Sequence, residues 1–563
     1  MEKPGDVVVS YLSPSWQLAA GVALLAGIAS HHLVFRPYEI DTYAWQLVFI
    51  YTTAVATVFA SHVHIGGYAS TSALLQTLFF AHVYNCSVVV SILVYRAFFH
   101  PLRKFPGPFL ARFSRLYAMS KMVQSRKGYE DVQKLHLEYG DIVRVGPREL
   151  SINRPSAIRA IYGAHTQTTR PPWYSQISRH AEKSSLVNTR DVVMHKQRKK
   201  VWERALGSRA LEVYEPRVRA KTELLLSKID AAEGNPIDVT KYFMYFSFDV
   251  MADVGFSKDF HMLESTSYHP AIKGVHKTMS FIGVLSTVPW LIYMIGSIPG
   301  LTTFNRFSMW CHDEVSEKRK VLAVGKEKEP QDVMSWLLKA MDDNDPSAPP
   351  GEQAVQEDAR LLIIAGSDTS AGVLANAFYL LAGNPRCYQQ LQTEVQKQFP
   401  GGLSEWTYEE AKAIPYMDNV IHETLRLRPT VPGGMPRNIP PQGLSIDGQL
   451  IPGGTIAAVP TYTIQRDGRY WADPLAFRPE RWEGCATTDG GVAWMAFSRG
   501  PWACPGRSLA MMEMRMVLSR VALQFDVGFA LGKGGEGFER DTVDNVSMTL
   551  PELNLVFTPR TGR

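Results

Sequence analysis

From Thr42 through Tyr95 the chain contains no Asp, Glu, Lys or Arg, and a second such stretch runs from Val7 to Phe35. Helices built from such residues cannot form the outer face of a globule in water, so protein or lipid must cover them. Three apolar segments stand out, about Trp16 to Phe35, Ala44 to Val63 and Leu74 to Leu93. Each is roughly 20 residues, long enough to cross a bilayer. His31, His32, His82 and Asn85 are polar insertions within them. A cleaved signal peptide does not fit, because the apolar material continues far beyond one short core and has no basic start. Arg96, Arg103 and Lys104 follow, then the hinge-like FPGP of Phe105–Pro108. Basic residues on that side favour a cytosolic domain after the anchor. Residues 1–100 are therefore expected to be a membrane anchor with up to three transmembrane helices. Three spans would put the amino terminus in the lumen; a single span, the third, is the alternative.

Residues 101–563 are expected to form one large domain. Helical patterns dominate it, with short extended pieces around Ile142 to Asn153, Gly443 to Ala458 and Val546 to Phe557, so the fold should be mainly α with small β-sheets. The net charge of +5 is mild; it agrees with a basic docking face and does not suggest nucleic acid. Five cysteines, Cys86, Cys311, Cys387, Cys485 and Cys504, show neither zinc spacing nor a disulfide framework, as expected in a reducing cytosol.

Three clusters carry chemistry. A helical segment from about Gly351 to Ala382 opens after Pro349-Pro350 and stops at Asn384-Pro385. Its middle, AGSDTS (Ala365–Ser370), puts a glycine, an acid and hydroxyls between the apolar runs Leu361–Ile364 and Val373-Leu374. A helix-interior glycine costs about 1 kcal/mol, and a buried acid costs more without partners, so these residues need a reason to be there. Farther on, Glu423 and Arg426 share one helical face, and PLAFRPERW (Pro474–Trp482) follows later. Alone, such a pair is usually a solvated surface pair. Last, FSRGPWACPG (Phe497–Gly506) sets Cys504 just ahead of a helix-like run beginning near Arg507. A buried sulfur at a helix N-terminus, with glycines allowing close backbone approach, suits a thiolate ligand to haem iron. A lone buried cysteine is otherwise an ordinary core residue.

In this chain order the clusters resemble the cytochrome P450 superfamily. Phe497, Gly500, Cys504 and Gly506 match its haem-binding loop F-x-x-G-x-R-x-C-x-G, while Trp502 stands where an Arg usually binds a haem propionate. The resemblance implies the P450 fold, preceded here by transmembrane helices, and haem b with Cys504 as the axial thiolate and metal ligand. It implies a structural cluster in which Arg481 joins Glu423 and Arg426. It implies room for dioxygen at Gly366, with Asp368 as the proton-relay acid and Thr369 as the hydroxyl that holds the iron-bound oxygen. NTRDVVMHKQRKKVW (Asn188–Trp202) resembles the entry to a helix that touches haem, with His195 at the haem edge and Arg198 or Lys199 at a propionate; Arg437 lies where another propionate Arg often stands. These residues would compensate for Trp502, and Trp502→Arg should be tolerated or slow haem loss.

The implied activity is haem-thiolate monooxygenation. Electrons would come from a separate NADPH-cytochrome P450 reductase, with cytochrome b5 as a further candidate donor, at the endoplasmic reticulum membrane with the catalytic domain cytosolic. GKGGEG (Gly532–Gly537) matches G-x-G-x-x-G, but no βαβ unit accompanies it, and it reads as a loop. The YRAFFHPLRKFPGP entry (Tyr95–Pro108) and the Ser498–Gly500 stretch resemble fungal secondary-metabolism enzymes of the tryprostatin B hydroxylase type. Segments that face substrate in that family fall here at Trp173 to Leu186, Phe281 to Ile295, Thr430 to Met435 and Ser547 to Thr549. They are largely apolar and aromatic, which points to a bulky, lipophilic natural product and O2 as substrates. An oxygen-independent haem-thiolate isomerase or dehydratase, and a non-catalytic haem sensor, are the other classes open. The first usually lacks the acid and alcohol that Asp368 and Thr369 supply.

Overall fold

The computed structural model describes residues 14–175, 180–273, 275–296, 298, 304–325, 329–484, 493–532 and 534–560. The helices Pro14–Ser30, Ala44–His64 and Ser70–Val94 form the amino-terminal part, and the first and third continue through His31–Phe35 and Tyr95–Phe99. The first and second pack on the third. All three are long and apolar enough to cross a membrane, and at most 11% of their most apolar stretch is covered by protein. Their polar insertions are paired with one another. His31 bonds Ser91 at 2.7 Å, Tyr84 donates to Ser30 at 3.0 Å, and Asn85 donates to Tyr51 at 2.6 Å. Pairing of this kind is what makes polar groups tolerable between apolar helices.

The rest is mainly helical, organised around Glu352–Gly383. This long helix also has the length and hydropathy of a span, but 67% of its most apolar stretch is buried inside the fold, so its apolar surface is spent on the core. The helix Val239–Phe256 packs along it. A Cβ on Gly255 would fall 2.9 Å from Leu362, and one on Gly366 2.5 Å from Met251 Sδ. Each helix thus offers a glycine to the other's side chain, one turn away from its own projecting residue. The space left by Gly366 is therefore filled on that side by Met251 rather than standing open.

Eleven short strands are present among the described residues: β1 Ile142–Gly146, β2 Glu149–Ile152, β3 Ile237–Asp238, β4 Arg437–Asn438, β5 Leu444–Ile446, β6 Gln449–Ile451, β7 Ile456–Ala458, β8 Phe525–Phe529, β9 Val543–Asn545, β10 Ser547–Thr549 and β11 Asn554–Pro559. The main sheet has the order β1-β2-β7-β4, with β2 and β7 parallel and the other pairs antiparallel. β11 lies between β3 and β8, and β5–β6 and β9–β10 are hairpins. The three extended regions expected from the sequence are strands. β3, β4, β8 and β9 were not expected; β3 and β4 are two residues long and paired only through tertiary contact. The glycine-rich stretch read as a loop leads into a short helix, Glu536–Arg540, with Lys533 outside the described residues.

Glu423 is fully buried on the helix Pro415–Leu427 and accepts five hydrogen bonds. Arg426 Nε and Nη2 donate at 2.8 Å each, Arg481 Nε at 2.9 Å, Trp482 Nε1 at 3.0 Å and the Arg478 backbone N–H at 3.0 Å. Such saturation is what a buried carboxylate needs. Arg426 also donates to the carbonyls of Gln465 and Pro474, both at 2.7 Å. Gln465, itself fully buried, accepts the backbone N–H of Met495 at 2.8 Å, which ties the cluster to the segment leading into the Cys504 loop. The sequence patterns that point to Glu423, Arg426 and Arg481 include Trp482 but contain no sign of Gln465.

Candidate active site

The Cys504 loop is built on unusual backbone. Phe497 and Ser498 adopt φ of 65° and 57°, and the Phe497 carbonyl accepts the Cys504 backbone N–H at 2.8 Å. Gly500 has φ 59°, and a Cβ there would fall 2.5 Å from the Tyr162 carbonyl oxygen and 2.7 Å from that of Gly163. Glycine is thus required by both torsion and space, and the approach it permits is to the end of the helix Pro155–Tyr162. The helix Arg507–Gln524 starts just after the loop.

Cys504 is enclosed by the fold, and its exposed surface faces a cavity it lines with Phe497 and Gly506, with Ala365 and Thr369 of the long helix, and with His195, Lys199 and Arg437. Of the expected site residues, Gly500, Asp368 and Arg198 do not line it. Thr369 donates its hydroxyl to the Ala365 carbonyl at 2.7 Å, one turn back. Asp368 sits behind, near Tyr268, whose phenol is pushed up mainly by burial and further by Tyr245, Asp238 and Asp368.

Arg198 corrects the expectation of a propionate contact. Its Nη2 is 2.7 Å from Asp358 of the long helix, and its Nη1 donates to the Ser184 carbonyl and the Thr189 hydroxyl, both at 2.7 Å. A buried carboxylate attracts the nearest guanidinium more strongly than an unformed contact across the cavity can. Arg170 stands at the cavity instead. It is the one charged residue between Arg159 and Arg179, and that isolation was the signal available in the sequence. Its Nη1 donates to the carbonyls of Leu186 at 2.9 Å and Thr189 at 2.7 Å.

Arg170 and Arg437 flank Trp502, with guanidinium carbons 4.3 Å and 5.2 Å from its ring. His195 packs on the same indole with ring centroids 4.3 Å apart. Burial and then the cations Arg170, Lys199, Arg198 and Arg437 push the His195 imidazole down to about 2, so it is neutral. Burial likewise pushes Arg170 down to about 9, still protonated at neutral pH. Arg437 donates to the Tyr174 hydroxyl at 2.7 Å. The Nε atoms of both arginines are buried without a hydrogen-bond partner among the described residues.

These residues fit an iron porphyrin. Burial raises the Cys504 thiol, while the backbone N–H groups of Gly506 and Arg507 and the charges of Lys199 and Arg507 oppose it, so a metal cation at sulfur is the natural partner for a thiolate. Two unpartnered guanidinium N–H groups at one side suit carboxylates, and the remaining lining is largely apolar. Of the expected substrate segments, Leu186 and Thr430 to Met435 contribute to the cavity, apart from Pro432 and Gly433. Phe281 to Ile295 and Ser547 to Thr549 do not; the Met548 backbone N–H instead donates to the Thr430 carbonyl at 2.9 Å and supports that segment. Residues 176–179 lie outside the described residues.

The expected effect of Trp502→Arg reverses on this geometry, because a third guanidinium would enter between two others with no added anion. Arg170→Ala and Arg437→Ala are each expected to speed haem transfer to an acceptor apoprotein by about tenfold, the value of one charge-assisted hydrogen bond, and Trp502→Arg to speed it also. Unchanged transfer rates in both alanine variants would remove these arginines from haem retention.

The sequence profile of the cytochrome P450 family matches residues 107–552. The chain is 36% identical over 544 residues to the cytochrome P450 monooxygenase FCK2 of Fusarium pseudograminearum, covering 95% of this chain and 96% of that one. It is 30% identical over 545 residues to the tryprostatin B 6-hydroxylase of Aspergillus fumigatus, covering 95% of each. The crystal structure of the cytochrome P450DA heme domain superposes with a TM-score of 0.67 at 17% identity, covering 81% of this chain and 98% of that one, which shows the shared fold.

Proposed function

The chain belongs to the cytochrome P450 family and is a fungal haem-thiolate monooxygenase of secondary metabolism, and we propose that Cys504 holds the iron while Thr369 and Asp368 control proton delivery. The observation that carries this reading is that Cys504 and Thr369 line one cavity. Bound haem supplies the chemistry of dioxygen activation. Cys504 would hold the iron through its sulfur, beside the N–H groups of Gly506 and Arg507. Arg170 and Arg437, joined by Lys199, would take the propionates, with Trp502 and His195 packed beside them. Thr369 holds a hydroxyl at the cavity wall, and Asp368 behind it passes protons from solvent.

The substrate we propose is a bulky, lipophilic natural product, which suits the apolar lining from Leu186, Val187, Val431 and Met435. Electrons would come from the NADPH-cytochrome P450 reductase, and cytochrome b5 is the further donor to test. For the anchor we propose three spans in the endoplasmic reticulum membrane, with residues 101–563 cytosolic. The turn between the first two helices touches the catalytic domain: Glu39 lies 2.8 Å from Arg190, and Trp45 Nε1 donates to the Met294 carbonyl at 3.3 Å. A turn on the catalytic side at that point fits three crossings, in which the first helix ends there, the second leaves and the third returns to enter the catalytic domain.

With reductase and a turned-over substrate, Thr369→Ala is expected to keep consuming NADPH while hydrogen peroxide rises and product per NADPH falls. Asp368→Asn should slow turnover by on the order of 10² with less change in substrate affinity, the usual weight of a positioned acid. Unchanged turnover and coupling in both variants would favour an isomerase, which needs no oxygen.

A further inference from the structure

Glu39 and Asp41 are the only acids between Asp6 and Glu130, and both fall in the short turn between the first two amino-terminal helices. Membrane insertion gives no reason for them, because orientation follows Lys and Arg and acids count for little. The turn lies against the catalytic domain. Its Asp41–Tyr43 part and the helix that follows pack on the helix Pro289–Gly296, and that helix touches the turn Pro172–Ser175.

Arg190 joins the same two places. Its Nη2 lies 2.8 Å and 3.0 Å from the two Glu39 carboxylate oxygens, its Nε donates to the Arg170 carbonyl at 3.0 Å, and its Nη1 donates to the Ser175 hydroxyl at 3.3 Å. Arg170 returns a bond to the residue next door, since its own Nη1 donates to the Thr189 carbonyl at 2.7 Å. Between Arg170 and Ser175 stands Tyr174, 1% exposed, whose hydroxyl accepts from Arg437. The backbones of Thr169 and Asn438 exchange two further bonds, at 3.2 Å and 2.8 Å, so the segments carrying Arg170 and Arg437 are paired side by side. An ion pair as exposed as Glu39 and Arg190, 39% and 30%, contributes little when it stands alone. Here one planar guanidinium uses three of its edges on three partners, two of them in the short segment Arg170–Ser175, which is the geometry that a fixed fork suits and a lysine does not.

We propose that Arg190 is a positioning residue: pinned by Glu39 of the amino-terminal turn, it fixes the segment Arg170–Ser175 and so places Arg170 and, through Tyr174, Arg437 at the cavity. The amino-terminal helices then help to hold the cations that receive the haem carboxylates and are more than a tether. The consequence for haem rests on the reading of Arg170 and Arg437 as propionate partners; the tie itself does not. Asn438 Nδ2 also donates to the Arg170 carbonyl, at 3.5 Å, so loss of Arg190 leaves that carbonyl with a donor and acts on placement rather than on folding.

The test uses full-length holoprotein in lipid nanodiscs, with Glu39→Gln, Arg190→Lys, Arg190→Ala and the Gln/Ala double variant. Amide hydrogen exchange across residues 169–175 is expected to quicken about threefold in Glu39→Gln and about fivefold in Arg190→Ala, with no further gain in the double variant. Arg190→Lys should fall between the parent and Arg190→Ala, because an ammonium keeps the charge and loses the fork. Haem transfer to an acceptor apoprotein should quicken in the same order. The propionate bending band in the resonance Raman spectrum should shift in the same variants, while the denaturation midpoint stays at the parent value. Parental exchange in both Glu39→Gln and Arg190→Ala would overturn the proposal, and so would an effect of Arg190→Ala that Glu39→Gln does not share. A midpoint that falls in step with haem loss would make Arg190 merely structural and overturn it too. Should Arg190→Ala fail to take up haem, Glu39→Gln and Arg190→Lys decide the question alone. Quickened exchange with parental haem transfer would overturn the haem consequence if Arg170→Ala still loses haem faster. If Arg170→Ala and Arg437→Ala also keep haem like the parent, the tie stands and the propionate roles fail instead.

Discussion

Replacing Cys504 by Ser is expected to abolish the strongly red-shifted Soret band that the carbon monoxide complex of the reduced protein should show, because only a thiolate ligand produces it. The loss should be complete rather than graded. Cys311 and Cys387 are buried in the core, and burial pushes both thiols up; neither lines the cavity. Cys86 lies in the third amino-terminal helix, and Cys485 is outside the described residues. A band retained in Cys504→Ser would mean that another cysteine reaches the iron, and the site would have to be rebuilt around it.

Glu423→Ala should have the next largest effect, and it should act on folding. Removing the carboxylate strands Arg426, which has no exposed surface, and strips acceptors from Arg481 and Trp482 in the same step. Breaking a buried network of this kind costs about 3–5 kcal/mol, against roughly 5–15 kcal/mol for a whole protein. Little holoprotein should therefore accumulate at 37 °C, and the denaturation midpoint of what does should fall. Arg481→Ala should be milder, because Arg481 sits at the rim and its other bonds go to the carbonyls of Ala472, Asp473 and Ala476, which water can reach. Equal yields for the parent and Glu423→Ala would show that the cluster is dispensable.

The structure explains why the glutamate matters more than its spacing suggests. Arg426 is shared between Glu423 and the carbonyls of Gln465 and Pro474, and Gln465 holds the Met495 backbone ahead of the Cys504 loop. Loss of Glu423 should therefore loosen the Cys504 loop as well as the helix that carries it.

Much of this site was readable in the sequence because its chemistry is local. Glu423 and Arg426 are one helical turn apart, Ala365 to Ser370 occupy consecutive positions of one helix, and Phe497 to Gly506 form one loop closed on itself by the bond from the Cys504 N–H to the Phe497 carbonyl. The uncharged amino-terminal stretches likewise determined three helices without reference to anything else in the chain. In each case the informative contacts span a few residues, so periodicity and residue type suffice.

What each arginine does was decided by the tertiary structure. Arg198 and Arg170 are both buried cations, but Asp358, far along the chain, captures Arg198, and Arg170 is left beside Trp502 at the cavity. Met251 fills the space beside Gly366 because helices distant in sequence pack face to face. The sequence by itself determined the Cys504 loop, the acid-alcohol turn, the charged cluster and the apolar amino-terminal helices. Which distant side chain completes each of them was set only when packing brought the segments together, since a buried charge or hydroxyl takes the partner that the fold places within reach.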